Sequence, residues 1–298
     1  MRYLLIGISL ILFSCEYFHT NPAKGVDIYL SPYLDLMIAA KNEDLGKMEH
    51  IVNSNHLMLD YADSKEGISL LNWCLINRKE KSFQKLLQLG ANPNWQDEKG
   101  AMAPPITEAS ALDSSGYLKL CLKYGGNPNL LSKKWHGFEQ QTPLFAAVAA
   151  GVIYPQESMD NLRILLNAGA DVNLSRDSTS SSPLAEALIL NKIEMAKYLI
   201  DRGADYNNLK FRISTIALDS NGRPLIDNQG TPTIKYGEKL DILHFLRKIE
   251  FPLGSDKYKI KIEIVNFLQT KGLNYWKYPI PKEVIDNHKG DTTYLKKY

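Results

Sequence analysis

The chain has 298 residues, with 35 lysines and arginines against 33 aspartates and glutamates, a formal net charge of +2 at pH 7. Its hydrophobic content of 44%, charged content of 23% and mean hydropathy of -0.25 allow a buried core and exclude a chain disordered by composition. So small a net charge gives no argument for a nucleic-acid partner or for an anionic membrane surface.

The chain opens "MRYLLIGISLILFSC", a cationic Arg2, an apolar run of ten from Leu4 to Phe13, then Ser14 and Cys15. That run is too short to span a bilayer, which takes about 20 apolar residues, so it reads as a secretory targeting segment. "LFSC" resembles the bacterial lipobox. The resemblance implies a signal peptide over 1–14, cleavage just before Cys15, and acyl chains on that cysteine, including palmitate-type chains, that anchor the protein to a membrane. Glu16, where an aspartate would retain the lipoprotein at the inner membrane, implies the periplasmic face of the outer membrane. The alternative is an ordinary signal peptide cut elsewhere. Residues 15–32 carry Pro22, Gly25 and Pro32 without helical periodicity and read as a lipidated tether.

Beyond the tether the chain repeats itself. "QLGANPN", "KYGGNPN", "NAGADVN" and "DRGADYN", with a fainter "TKGLNYW", place Gly90, Gly125, Gly169, Gly203 and Gly272 at steps of 35, 44, 34 and 69 residues. The period is near 34, the last step being about two of them. Twenty residues ahead of Gly90, Gly125 and Gly203 stand Leu70, Pro105 and Pro183, and 26 ahead of Gly169 stands Pro143. A first copy runs from Asp35 to Asn55, with Asn55 in the place of the glycine. Proline at a first helical turn wastes no donor, paired leucines face a core, and glycine or asparagine closes a helix in the left-handed conformation.

"TPLFAAVAAG" with "LRILLNAGADVN", and "SPLAEALILN" with "AKYLIDRGADYN", carry a resemblance to the ankyrin repeat. It implies an all-α repeat fold, an ankyrin solenoid of about six helix-turn-helix units over residues 33–276, each burying its apolar face only against a neighbour. The family's histidine position holds Asn72, Thr107, Phe145 and Ala185, so the usual polar ladder between repeats is expected to be missing. The charged first unit, Tyr33 to Asp60, suits an amino-terminal cap. "KIKIEIVNFLQTKG" should close the other end, ahead of a C-terminal tail over 277–298, draped or mobile.

Three insertions exceed the repeat: residues 130–141 with Trp135, residues 152–158 with Tyr154, and residues 211–236 with Arg212. The second lengthens a turn between two helices. The third alternates β-formers around Asn221-Gly222 and Asn228–Gly230, which predicts a β-hairpin or three short strands. Repeat arrays often place insertions on the binding face, and Trp, Tyr and Arg dominate interface hot spots. The candidate partner-binding residues are therefore Trp95, Lys99, Met102, Trp135, Tyr154 and Arg212, although Trp95 reads equally as packing over its own repeat. Trp73 lies within a helix and belongs to the core.

No nucleophile elbow, His-Glu-x-x-His, phosphate-cradling glycine loop or paired-cysteine motif occurs in the sequence. No catalytic residue, cofactor or metal is expected, and the chain does not read as an enzyme. Cys74 and Cys121 take small and leucine positions of two units, read as buried free thiols, with a disulfide the alternative. Lipobox and ankyrin array together resemble the periplasmic ankyrin-type immunity lipoproteins that neutralise type VI secretion effectors of the lipase or phospholipase kind. That resemblance implies a monomer when unbound whose partner is such a secreted effector, captured on a concave surface of fingers and first helices, with the membrane engaged through the N-terminal lipid. The alternatives are a periplasmic chaperone or stabiliser of an endogenous enzyme, and an enzyme whose site carries no known motif.

Overall fold

The structure is a computed structural model that describes residues 32–62, 67–97, 102–133, 140–150, 155–175, 182–209, 212–216, 219–220, 223–226, 233–289 and 291–298. The side chains of 155–158, 212–216 and 234–239 are not described. Cys15, expected from the sequence to be lipidated, lies outside the described residues, as do the expected signal peptide and nearly all of the expected tether.

Each segment foreseen as a repeat is a pair of short helices. In the first unit, residues 1–171, the pairs are α1 (Tyr33–Lys41) with α2 (Leu45–Asn55), α3 (Leu70–Ile76) with α4 (Glu80–Gln88), α5 (Pro105–Ala111) with α6 (Ser115–Lys123), and α7 (Pro143–Ala150) with α8 (Pro155–Asn167). In the second unit, residues 172–298, they are α9 (Pro183–Ile189) with α10 (Ile193–Asp201) and α11 (Ile242–Lys248) with α12 (Asp256–Thr270). The starts are chemical. Ser69, Thr142 and Ser182 accept the backbone N–H three residues on, and Pro105, Pro143 and Pro183 open their helices without wasting a donor.

The ends are conformational. Gly90, Gly125, Gly169, Gly203 and Gly272 hold φ between 87° and 103°, and a Cβ at any of them would meet nothing within 4 Å. Glycine is needed there for its left-handed backbone alone. In the first pair this residue is His56 at φ 49°, not Asn55, which is the last residue of α2. The 34-residue period counted back from Gly90 lands on 56, so the substitute for glycine was placed one residue early.

Within each unit the pairs stack on their neighbours, first helix on first helix and second on second. Leu36, Phe83, Ile106 and Leu118 line the core of the first unit, and Leu184, Leu199, Leu246 and Ile264 that of the second. Trp73 is buried with them, as are the unbonded thiols of Cys74 and Cys121, whose pKa values burial drives upward. The insertion read as a longer turn at 152–158 lies partly in helix, because α8 starts at Pro155 and runs for 13 residues where α4, α6 and α10 run for 9. The insertion after α10 contains β1 (Arg212–Ile216) paired antiparallel with β2 (Ile234–Lys239), with an irregularity between Arg212 and Ser214. Both expected turns fall outside the described residues. Among the described residues no helix is long and apolar enough to cross a membrane.

Residue 277 marks no boundary of the fold. A 3₁₀ turn (Tyr275–Lys277), α13 (Lys282–Asn287) and α14 (Thr292–Lys297) fold back on α11 and α12, burying Tyr275 and Tyr298 at 0% and 1% exposure. Lysine and proline content left this segment draped or mobile; in the structure its tyrosines are packed. Arg247, itself buried, donates from Nε and Nη2 to the Tyr275 carbonyl and from Nη1 to the Tyr298 carbonyl, and lies 4.0 Å from the Tyr275 ring centroid. The Tyr298 hydroxyl donates to the Arg247 and Ile249 carbonyls. Lys261, fully buried, donates to the Ile249 carbonyl at 2.9 Å with the Tyr298 ring 3.7 Å away, and burial beside Arg247 lowers its pKa to about 7.

Tyr298→Ala removes a buried aromatic and the hydroxyl that donates to the Arg247 and Ile249 carbonyls, so it should lower stability by about 3–5 kcal/mol, read from urea unfolding of the full chain.

Candidate functional site: the finger turns

Between one helix pair and the next, the chain projects a turn that begins at the left-handed residue, and these fingers share one hydrogen-bond scheme. The side chain two residues after glycine accepts the N–H two residues further on: Asn92 from Asn94, Asn127 from Asn129 and Asp205 from Asn207, at 2.9, 2.9 and 3.0 Å. Such Asx turns fix a finger by itself. The asparagine four residues after glycine then reaches the next finger with both ends of its amide. Asn94 donates to the Gly125 carbonyl at 2.9 Å and accepts from the Asn127 N–H at 2.7 Å. Asn129 does the same to Gly169 and Asp171, at 2.9 and 2.6 Å. In the second unit Asn173 does it to Gly203 and Asp205, at 3.2 and 2.8 Å.

Asparagine is required because each rung needs a donor and an acceptor on one short side chain. The corresponding position of the first finger is Asp60, which accepts from the Asn92 N–H at 2.9 Å but has no amide to donate. The expected loss of the polar ladder therefore concerns only the histidine position, where Asn72 still donates to the Ala103 carbonyl at 3.1 Å. A second ladder runs through the fingers. Its signal was in the sequence as the constant Gly-x-x-x-Asn of 90/94, 125/129, 169/173 and 203/207, which the reading of glycine as a cap passed over.

A further chain of bonds ties the second finger to the third. The Lys133 N–H donates to Gln96 Oε1 at 2.7 Å, and Gln96 Nε2 donates to the Met102 carbonyl at 2.9 Å. The Ala103 N–H donates to Glu108 Oε1 at 3.2 Å. Burial pushes the Glu108 carboxyl up to about 7, opposed in part by that backbone bond. Ser132 and Gln141 pair through two bonds, N–H to carbonyl and N–H to hydroxyl, and close the neck of the 130–141 insertion.

Of the residues chosen from sequence, Trp95 is half-buried at the foot of the second finger and Met102 is buried at 7% exposure. Met102 is a correction: its side chain is buried and not presented to solvent. Arg212 begins β1, with its side chain undescribed. Lys99, Trp135 and Tyr154 lie outside the described residues. Met58 at 73% and Leu131 at 37% exposure are apolar finger residues that the sequence reading did not select. Among the described residues no group of three His, Cys, Asp or Glu side chains is placed to hold a metal.

Comparison with known proteins agrees with this geometry. Residues 108–210 match the family model described as ankyrin repeats (3 copies). An ankyrin repeat domain from Acinetobacter baumannii AYE superposes with a TM-score of 0.53 at 21% identity, over 80% of this chain and 97% of that one. Stacked helix pairs, left-handed closures and laddered fingers are the ankyrin repeat fold. Protein PhlB of Serratia liquefaciens is 35% identical over 125 residues, 42% of this chain and 49% of that protein. Putative ankyrin repeat protein L371 of Acanthamoeba polyphaga mimivirus is 24% identical over 171 residues, 54% of this chain and 21% of that protein. The chain thus spans about half the length of the first relative and about a fifth of the second.

Two outcomes test the site. Asn129→Ala leaves the Gly169 carbonyl and Asp171 N–H without their rung, so stability should fall by about 1–2 kcal/mol and the Asp171 amide should exchange faster with deuterium. Asp60→Asn should be neutral or stabilising by comparison. Glu108 keeps its proton in the folded state up to about pH 7 but loses it near the ordinary carboxyl value when unfolded. Its contribution therefore declines as pH rises from about 4.5 to 7 and is level above, and Glu108→Gln should remove that slope from thermal melts recorded at successive pH values.

Proposed function

We propose that the chain is a lipid-anchored immunity protein of the periplasm that captures a type VI secretion effector of the lipase or phospholipase class on its ankyrin surface. The observation that carries the capture reading is the finger ladder. Backbone turns locked by paired side-chain bonds lose little conformational freedom on binding, so contact energy goes into affinity. Neutralising an enzyme that turns over needs tight capture, and nanomolar binding corresponds to about -12 kcal/mol. An interface of about 1,600 Å² with a few aromatic anchors supplies that much. Trp95, Lys99, Trp135, Tyr154 and Arg212 are the proposed contacts, with Met58 and Leu131 joining them in place of Met102. Acylation at Cys15 would hold the fingers at the outer membrane, where such an effector acts, raising local concentration without new contacts.

Deleting the gene should make sibling cells sensitive to the effector encoded beside it, and Trp135→Ala should weaken capture of the purified effector by roughly 30-fold. Full resistance of the deletion strain overturns the immunity reading. An endogenous enzyme that loses activity or solubility in that strain while resistance persists supports the chaperone reading instead. Cys15→Ser should release the protein from membranes washed in high salt.

A further inference from the structure

The net charge of the whole chain conceals a division. Residues 247–298 carry 11 lysines and arginines against 6 aspartates and glutamates, whereas residues 1–246 carry 24 against 27. Within the basic stretch the acids are mostly engaged. Glu250 binds His288 and Asn287, Glu283 faces Lys248, Asp286 faces Lys289, Asp256 faces Lys259, and Asp291 caps the Tyr294 N–H. Lys257, Lys271, Lys277, Lys282, Lys296 and Lys297 are all exposed, and among the described residues none has a carboxylate partner.

Two large apolar side chains of the same stretch are exposed as well. Trp276 is 45% exposed although its neighbour Tyr275 is fully buried, and Ile285 is 42% exposed although its neighbour Val284 is at 1%. Trp276 stands edge-on to Tyr275 and precedes Lys277, while Lys282 and Ile285 share a face of α13 at a spacing of three. None of this is a loose tail. The Arg247, Tyr275 and Tyr298 cluster fixes the backbone that carries these side chains, and the Tyr258 hydroxyl donates to the Lys297 carbonyl at 2.7 Å.

We propose that this lysine-rich C-terminal stretch docks on the surface of an anionic phospholipid bilayer through its exposed lysines together with Trp276 and Ile285. The lysines meet headgroup phosphates, and the indole and the isoleucine enter the boundary between headgroups and acyl chains, where tryptophan is favoured. A bilayer offers both chemistries at once, phosphates for the lysines and the acyl-chain boundary for the indole and the isoleucine, whereas a polymer of acidic residues alone would leave the two apolar side chains in water. The proposal is independent of the effector proposed above, and a lipid at Cys15 would add to it as a second attachment.

The test uses the full chain with Cys15→Ser, so that acylation does not contribute, sedimented with vesicles of phosphatidylcholine alone or with about one quarter phosphatidylglycerol. Binding should be at least tenfold stronger to the anionic vesicles and should collapse in half-molar salt, since screening shortens the reach of the lysines to a few ångströms. Each basic residue near such a surface contributes about fivefold, so Lys277→Glu with Lys282→Glu should lower partitioning by about 25-fold or more. Trp276→Ala should weaken it several-fold with an unchanged circular dichroism spectrum. Equal binding to both vesicle types, binding indifferent to these variants, or binding to polyglutamate with none to vesicles would each overturn the proposal.

Discussion

A helix of seven residues followed by one of nine, as in α3 and α4, cannot keep its own apolar face from water. Isolated helices shorter than about 12–15 residues are marginal even when every residue favours them. Stacking is the constraint on which every other feature of the chain depends. It requires each pair to stop where the next begins, hence the left-handed residue, and it requires the connecting turns to register with one another. The asparagine rungs meet the second requirement. Each satisfies one carbonyl and one N–H that the turn exposes, so register is held by backbone geometry and the exposed side chains of the finger remain free to vary.

That division explains what the sequence disclosed and what it did not. Helix pairs, period and the strand-forming insertion were legible because glycine, proline and leucine at fixed spacing have few structural uses. His56 was missed because no composition rule nominates histidine for φ above zero; only the period counted from Gly90 does. Met102 follows the polar run Asp97 to Lys99 in the sequence, yet it is buried ahead of α5, its carbonyl accepting from Gln96. The C-terminal closure was illegible for a different reason. Its contacts join residues about 50 positions apart, such as Arg247 and Tyr298, and neither is diagnostic alone.

The two units carry buried ionisable groups of opposite sense. In the first, Glu108 resists ionisation and favours the folded state most at acidic pH; in the second, Lys261 is pushed toward neutrality, and its contribution is lost as pH falls from about 10.5 toward 7. The carbonyl of Ile249 and the ring of Tyr298 offset part of the cost of burying the ammonium, because both favour the charged form. A closure built on lysine, arginine and three tyrosines is therefore sensitive to any change that leaves a cation without its carbonyl.

Charge balance over a whole chain is a poor guide when a fold sorts its ion pairs. The C-terminal stretch pairs or caps with five of its six acids and leaves six lysines in solvent, and the total of +2 reports nothing of it. The same sorting applies to apolar groups. Tyr275 and Val284 are taken into the closure, while their chain neighbours Trp276 and Ile285 stay outside it. The fingers are thus set by amide rungs and the C-terminal closure by a buried arginine, two devices that share no hydrogen bond among the described residues.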